Sequence, residues 1–259
     1  MTFLLEIPNF TDPKIITALI TLTFLEIILG VDNIIFISIV SNKLPKSQQP
    51  KARTIGLILA MIFRILLLLG ITWLIGLTEP VFTIGFIEDD NGVPLGISWK
   101  DIILILGGIF LVFKSTLEIH HKLEVPGDTA KAVKAPAVFS AVILQIILVD
   151  AVFSFDSILT AIGLIDNVVI MIIAVIISMI IMMIFASPIS NFINKHPTLQ
   201  ILALAFLILI GVLLIAEGFH QHINKAYIYS AIAFSLVVEL INMKMRKNRP
   251  QVHLNQEEL

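Results

Sequence analysis

The feature that most constrains the fold is a series of long, nearly uninterrupted apolar segments. A bilayer core about 30 Å thick is crossed by roughly 20 helical residues, and seven segments of about that length follow one another here. They cover residues 14–40, 53–77, 101–119, 137–163, 167–186, 199–217 and 226–243. Prolines fall in the connections, as expected at helix boundaries, whereas a membrane β-barrel would show short alternating strands. The sequence therefore predicts an all-α integral membrane protein with seven transmembrane helices.

Composition supports this interpretation and excludes several classes of function. Apolar residues make up 58% of the chain and charged residues 14%, whereas soluble domains are nearer half and a quarter. A net charge of −2 gives no basic surface for nucleic acid, so the expected surroundings are the lipid bilayer. The absence of cysteine excludes thiolate metal sites and cysteine nucleophiles. No Lys or Arg precedes Lys14, so the first segment is interpreted as a retained span rather than a signal peptide.

Basic residues alternate between the connections and predict the orientation. Loop 41–53, loop 120–136 and tail 244–259 are rich in Lys and Arg, whereas loop 78–99 is acidic. Basic loops remain on the cytoplasmic side. We therefore expect the N-terminus outside, and the C-terminus with its basic tail 244–259 in the cytoplasm.

Two stretches of the chain resemble each other. "LEIILGVDNI" contains Asp32 before Asn33, and "LQIILVDAVFSFDSI" contains Asp156 before Ser157; at equal spacing, Glu26 precedes Asp32 and Asp150 precedes Asp156. "LGGIFLVFK" and "LIGVLLIAE" form a second similar pair. The pattern predicts that helices 1–3 (repeat A, about 14–119) correspond to helices 4–6 (repeat B, about 137–217), with helix 226–243 added. Three helices is an odd number, so the repeat is inverted, as in transporters with a midplane binding site.

The polar residues of the two motifs are candidate cation ligands. Ionisable groups inside a membrane are costly and normally face the bundle interior. Carboxylate, amide and hydroxyl oxygens suit Mg²⁺, Ca²⁺ or Mn²⁺ better than Zn²⁺ or Cu²⁺. The candidate ligands are Glu26, Asp32, Asn33, Asp150, Ser154, Asp156 and Ser157. Protonated acids and hydrogen bonds that hold the helices together are the alternatives.

A helix break is predicted within each motif. Asp32 and Asp156 do not share a regular helix face with Glu26 and Asp150. Gly30 permits distortion in the first motif, and Ser154 can satisfy freed backbone groups in the second. We therefore predict unwound backbone at residues 30–32 and 154–156.

The remaining charged residues in or near the spans are interpreted as supporting ion pairs or a gate. They are Arg64, Lys114, Glu118, Glu217 and Glu239. Arg64 is expected to pair with one of the acids and to hold the site together. Lys114 and Glu118 lie one helical turn apart, which favours an interfacial pair. The histidines near the interfaces (His120, His121, His220 and His222) are interpreted as surface residues.

The sequence resembles the TerC family of integral membrane proteins. The resemblance rests on "LEIILGVDNIIFIS", "LVDAVFSFDSILTAIGL", "FKSTLEIH" and "AEGFHQHINKAYIYSAIAFS", and it extends over nearly the whole chain. It implies the 3+3 inverted fold of the LysE-type transporter superfamily, Mn²⁺ efflux and, by older naming, tellurium resistance. It also implies that the acids and polar residues of the two motifs form the site. The residue chemistry alone reaches only a hard divalent cation or a proton.

The expected function is that of a secondary transporter in a bacterial cytoplasmic membrane. Helices 1 and 4 would form a midplane site for Mn²⁺, with protons as the candidate exchange ion and no resident cofactor or enzymatic activity. The sequence leaves the oligomeric state open, and a homo-oligomer is one of the arrangements that it allows. The alternatives are a seven-helix sensor and a tellurium-resistance-associated protein without transport. A retinal protein is disfavoured because 227–243 lacks lysine, and an intramembrane enzyme because no span contains a central histidine.

Overall fold

The computed structural model describes residues 8–88, 94–123, 138–162, 165, 167–221 and 223–245. Eight helices and two strands lie in these ranges. In chain order they are α1 (Pro13–Ser41), α2 (Gln49–Leu69), α3 (Ile71–Gly76), β1 (Pro80–Glu88), β2 (Pro94–Ser98), α4 (Trp99–Leu123), α5 (Phe139–Ile162), α6 (Val168–Asn194), α7 (Pro197–Gly218) and α8 (Lys225–Met245).

Each of the seven predicted spans contains a long helix. Six helices are long and apolar enough to cross a membrane: α1, α2, α4, α6, α7 and α8. The apolar part of α5 that the structure describes, Phe139–Phe155, is shorter than these. The predominantly helical architecture is therefore confirmed, while the count of seven spans stays a prediction.

Two segments differ from the sequence-based expectation. The span predicted over 53–77 is divided at Gly70 into α2 and α3. Segment 78–99, expected to be a loop, forms an antiparallel hairpin in which Phe82 lies opposite Ile97 and Thr83 opposite Gly96. The described part of the chain is thus mostly helical with one small β-hairpin, rather than all-α.

The chain forms two compact units, and each takes helices from both halves of the sequence. The first unit comprises residues 1–79 and 136–191, with α1, α2, α3, α5 and most of α6. Within it, α5 packs against α1 and α2. The contact is tight, because a Cβ built on Gly56 of α2 would lie 2.9 Å from the Ile146 side chain of α5.

The second unit comprises residues 80–135 and 192–259, with the hairpin, α4, α7 and α8. Its most extensive contact joins α4 to α7. A Cβ on Gly108 would lie 2.5 Å from the Gly211 carbonyl oxygen, and a Cβ on Gly211 would lie 2.9 Å from the Gly108 carbonyl oxygen. The two backbones therefore touch where they cross. In α8, which the structure describes throughout, no residue is buried.

Polar contacts fix both ends of the α4–α7 pair. At one end, the buried Asp101 carboxylate accepts hydrogen bonds from the Ser98 amide (2.8 Å) and hydroxyl (2.6 Å), and His220 Nε2 lies 3.0 Å from Asp101 Oδ2. At the other end, Lys122 Nζ donates to Gln200 Oε1 at 2.9 Å. Because α4 begins where α7 ends, the helices are antiparallel. His220 was expected to be a surface residue, but its half-buried ring instead ties α7 to the start of α4.

Candidate functional site

A buried cluster of charges joins three helices of the first unit. Arg64 on α2 donates to both oxygens of Asp150 on α5, from Nε to Oδ2 at 3.1 Å and from Nη2 to Oδ1 at 2.8 Å. Its Nη1 donates to Glu26 Oε2 on α1. All three residues are buried, with Arg64 only 2% exposed. The guanidinium thus bridges the two acids that occupy matched positions in the sequence motifs.

The Asp150 carboxylate accepts more hydrogen bonds than the Glu26 carboxylate. Asp150 also accepts hydrogen bonds from Asn33 Nδ2 at 3.1 Å and from Ser154 Oγ at 3.0 Å, so its two oxygens receive four donors. Among the described side chains, Glu26 receives only the Arg64 bond. Asp150 therefore organises the cluster, whereas Glu26 keeps acceptor capacity for another partner.

The buried amide oxygen of Asn33 accepts no hydrogen bond from any described residue. Its Nδ2 bond to Asp150 fixes the amide orientation, because the flipped amide would set an oxygen against a carboxylate oxygen. Asn33 is 3% exposed, and its Oδ1 has no hydrogen-bond partner among the described residues. An unsatisfied buried acceptor costs about 1–3 kcal/mol. An amide oxygen is also a suitable ligand for a hard cation.

The described charges of the cluster do not balance. It contains one guanidinium and two carboxylates, all buried within the same unit. A buried excess charge is strongly unfavourable unless another group compensates it. When both carboxylates are ionised the described cluster carries one excess negative charge, which a bound cation or a proton would neutralise.

The predicted helix breaks are wrong. Along the described backbone, α1 is helical through Gly30 and α5 is helical through Ser154. A Cβ on Gly30 would overlap Met182 Sδ, so the glycine admits the α6 side chain rather than a distortion. Ser154 Oγ donates to the Asp150 carbonyl at 2.5 Å, one helical turn earlier, which fits within an intact helix.

Replacing Gly30 by Ala tests this packing role. We expect a loss of at most about 2 kcal/mol in the free energy of unfolding, because displacing the flexible end of Met182 costs about 1–3 kcal/mol, whereas Ala is favoured over Gly in a helix by about 1 kcal/mol. Thermal denaturation of the purified protein in detergent measures the effect. The double variant Gly30→Ala/Met182→Ala removes the clash and should be less sensitive to the first substitution. Equal losses in both backgrounds would contradict a direct contact.

The other predicted ligands are only partly placed. Ser157 is buried on α5 and donates to the Ser154 carbonyl at 3.3 Å. Asp32 lies on α1 and Asp156 on α5, but their side chains lie outside the described residues. Among the described residues, no three His, Asp or Glu side chains form a group that could hold a metal ion.

The predicted supporting residues other than Arg64 belong to the second unit. Lys114 and Glu118 lie on α4, and Glu239 lies on α8. Glu217 at the end of α7 has Oε2 3.5 Å from Lys225 Nζ. The two residues line a cavity of about 330 Å³ together with Gln221 and Asn224.

One buried network was not anticipated from the sequence. Arg53, interpreted as a basic loop residue, lies in α2 and is only 5% exposed. Its Nη1 donates to Ser190 Oγ at 2.9 Å, and Ser38 Oγ lies 2.7 Å from the same hydroxyl. The contacts bring together the end of α1, the start of α2 and the end of α6. No sequence signal links residues so distant along the chain.

Comparison with known proteins identifies the family. The family model described as "Integral membrane protein TerC family" matches residues 11–252 of the chain. The chain belongs to the TerC family. As a TerC-family member, it is an integral membrane protein.

Several relatives of this TerC protein align with nearly all of it. It is 46% identical over 240 residues to the UPF0053 inner membrane protein YgdQ of Escherichia coli (strain K12), covering 93% of this chain and 97% of that protein. A UPF0053 protein of Haemophilus influenzae is 45% identical over 236 residues, covering 91% and 96%. The UPF0053 inner membrane protein YoaE of E. coli is 44% identical over 237 residues, which is 92% of this chain but only 44% of YoaE. No solved structure matches the chain.

Proposed function

We propose that this TerC-family protein is a membrane transporter for a hard divalent cation, with Mn²⁺ as substrate and efflux as direction. The observation that carries the proposal is the buried Asn33 Oδ1, which Asp150 orients and which has no donor among the described residues. Manganese and efflux come from the resemblance stated above. The relatives named as inner membrane proteins support a bacterial inner-membrane location.

The proposed ligands lie on α1 beside Asn33 and on α5, the helix to which Asn33 is hydrogen-bonded. Asp32 precedes Asn33 on α1, and the Asn33–Asp150 hydrogen bond holds this turn of α1 against α5. Asp156 lies on α5 between Ser154 and Ser157. We assign carboxylate ligation to Asp32 and Asp156 and amide ligation to Asn33. These are oxygen ligands of the type that hard divalent cations prefer.

Helix packing supports the inverted repeat on which alternating access would depend. Gly108 and Gly211 occupy matched positions in "LGGIFLVFK" and "LIGVLLIAE", and each lies against the carbonyl of the other. Equivalent positions meet in this way when a two-fold axis relates two segments. Transporters with inverted repeats expose a midplane site alternately to the two sides. Exchange of Mn²⁺ for protons on the same carboxylates is the proposed coupling, with the N-terminus outside.

Transport by purified protein in liposomes tests the proposal. We expect Mn²⁺ flux from wild type, and flux at background level from Asp32→Asn, Asp156→Asn and Asn33→Leu, because each removes a ligand oxygen or its charge. The same variants should abolish manganese tolerance in an efflux-deficient host while still inserting into the membrane. Asp12→Asn, at the N-cap of α1, is the matched control and should transport normally. Full tolerance in the site variants would refute the proposal, and flux of Mg²⁺ or Ca²⁺ alone would refute manganese as the substrate.

A further inference from the structure

We propose that Arg64 competes with the transported cation for Glu26, so that this carboxylate alternates between the guanidinium and the metal. The inference rests on the proposed function and assigns a regulatory contact within its site. Arg64 makes two hydrogen bonds to Asp150 and one to Glu26.

Asp150 is held too firmly to exchange partners. Arg64 binds it through two parallel bonds, the bidentate geometry in which a guanidinium and a carboxylate interact most strongly. Asn33 and Ser154 supply the other two donors. A metal that took either Asp150 oxygen would have to break bonds to two side chains, one of them Arg64. Asp150 is therefore a positioning residue, and Arg64 stays attached to it throughout.

Glu26 is held by a single bond to the same guanidinium. Only Nη1 of Arg64 reaches it, on Oε2, and no other described side chain donates to this carboxylate. Rotation of the Glu26 side chain breaks one hydrogen bond and leaves the Arg64–Asp150 pair intact. Asp150 links Arg64, and thus Glu26, to the Asn33 amide whose oxygen is unsatisfied. Glu26 is consequently the carboxylate of the cluster that is free to change partner.

The exchange has a direct consequence for affinity. With Arg64 in place, a metal must compete with the guanidinium for Glu26, so binding is weakened. A transporter gains from this weakening, because a cation bound by every nearby carboxylate would leave slowly. Removal of Arg64 should therefore tighten cation binding while slowing release.

A double-mutant cycle tests the contact between Arg64 and Glu26. Calorimetric titration of the purified full chain with Mn²⁺ compares wild type, Arg64→Gln, Glu26→Gln and Glu26→Gln/Arg64→Gln. We expect Arg64→Gln to lower the Kd about tenfold, and the same substitution to change the Kd less than about twofold when Glu26 is already Gln. Size-exclusion profiles and thermal denaturation establish that each variant is folded.

Two further variants keep the test decisive. Arg53→Gln removes another buried arginine from the same helix, roughly three turns away, and should leave the Kd unchanged. If Arg64→Gln does not fold, Arg64→Lys keeps the charge but lacks the planar fork, so it should release Glu26 and lower the Kd about threefold.

The outcomes separate this inference from the proposed function. Wild-type protein that binds no Mn²⁺ would refute both. If wild type binds Mn²⁺ but Arg64→Gln and Arg64→Lys bind it with equal or lower affinity, the proposed exchange is overturned and the proposed function is not. Tightening that persists in the Glu26→Gln background would also overturn it, because Arg64 would then act by general repulsion rather than through Glu26.

Discussion

Replacing Asp150 by Asn is expected to lower the free energy of unfolding by about 3–5 kcal/mol. The substitution keeps the shape of the side chain, so the loss arises from its charge and from its hydrogen-bonding pattern. The amide group turns one acceptor oxygen into a donor, which faces Arg64 and Asn33 or Arg64 and Ser154. Among the described residues, Arg64 then keeps Glu26 as its only anionic partner. Removing one member of a buried ion pair is costly because the remaining charge loses its compensation.

The melting temperature of the purified protein in detergent measures this effect, with an expected fall of about 10 °C or more. Ser154→Ala is the matched control, since it removes only one of the four donors to Asp150. It should cost about 1 kcal/mol. A melting temperature for Asp150→Asn within a degree or two of wild type would show that the cluster contributes little to stability.

Replacing Gly108 by Leu is expected to disrupt the α4–α7 pair and to cost about 3 kcal/mol or more. Helix propensity alone predicts the opposite sign, because Leu is better than Gly by about 0.8 kcal/mol in a helix interior. Packing decides the outcome. A Cβ at position 108 would lie 2.5 Å from the Gly211 carbonyl oxygen and 2.7 Å from Ile215 Cγ1. Since the first of these is a backbone atom, the helices must separate.

The same denaturation measurement distinguishes the two effects. Gly76→Leu is the matched control, because a Cβ on Gly76 would have no atom of the described residues within 4 Å. Its effect should stay within about 0.5 kcal/mol. A Gly108→Leu protein as stable as wild type would contradict the close crossing of the two helices.

The positions of the helices could be predicted from the sequence because the bilayer imposes a length and an apolar character on each span. The structure begins α1 at Pro13 and α7 at Pro197, next to the predicted boundaries at residues 14 and 199. The β-hairpin in segment 78–99 could not be predicted from span length and apolar character. Pro80, Pro94 and a charged centre resemble a loop, yet Val81–Ile84 is rich in β-branched and aromatic residues, which favour a strand.

The candidate site could be predicted only at the level of residue types. Charged residues inside apolar helices pointed to Glu26, Asp150 and Arg64, because an uncompensated charge in a membrane has to find a partner. The sequence did not reveal that one guanidinium binds both acids, since this depends on how α1, α2 and α5 pack against one another. The break expected at Gly30 was wrong for a related reason. A glycine that admits a neighbouring side chain such as Met182 looks in sequence like one that loosens its own helix.

The distribution of helices between the two compact units has a consequence for biogenesis. Glu26 and Arg64 lie on successive spans, so they can neutralise each other as soon as the α1–α2 hairpin enters the membrane. Asp150 is synthesised much later, and the first unit also requires α6. Until α5 is made, Arg64 of the α1–α2 hairpin therefore has Glu26 but not Asp150 as a partner. During this time α4 is synthesised, and its own partner α7 follows only later. A chain arrested before α5 would lack Asp150, the bidentate partner of this arginine.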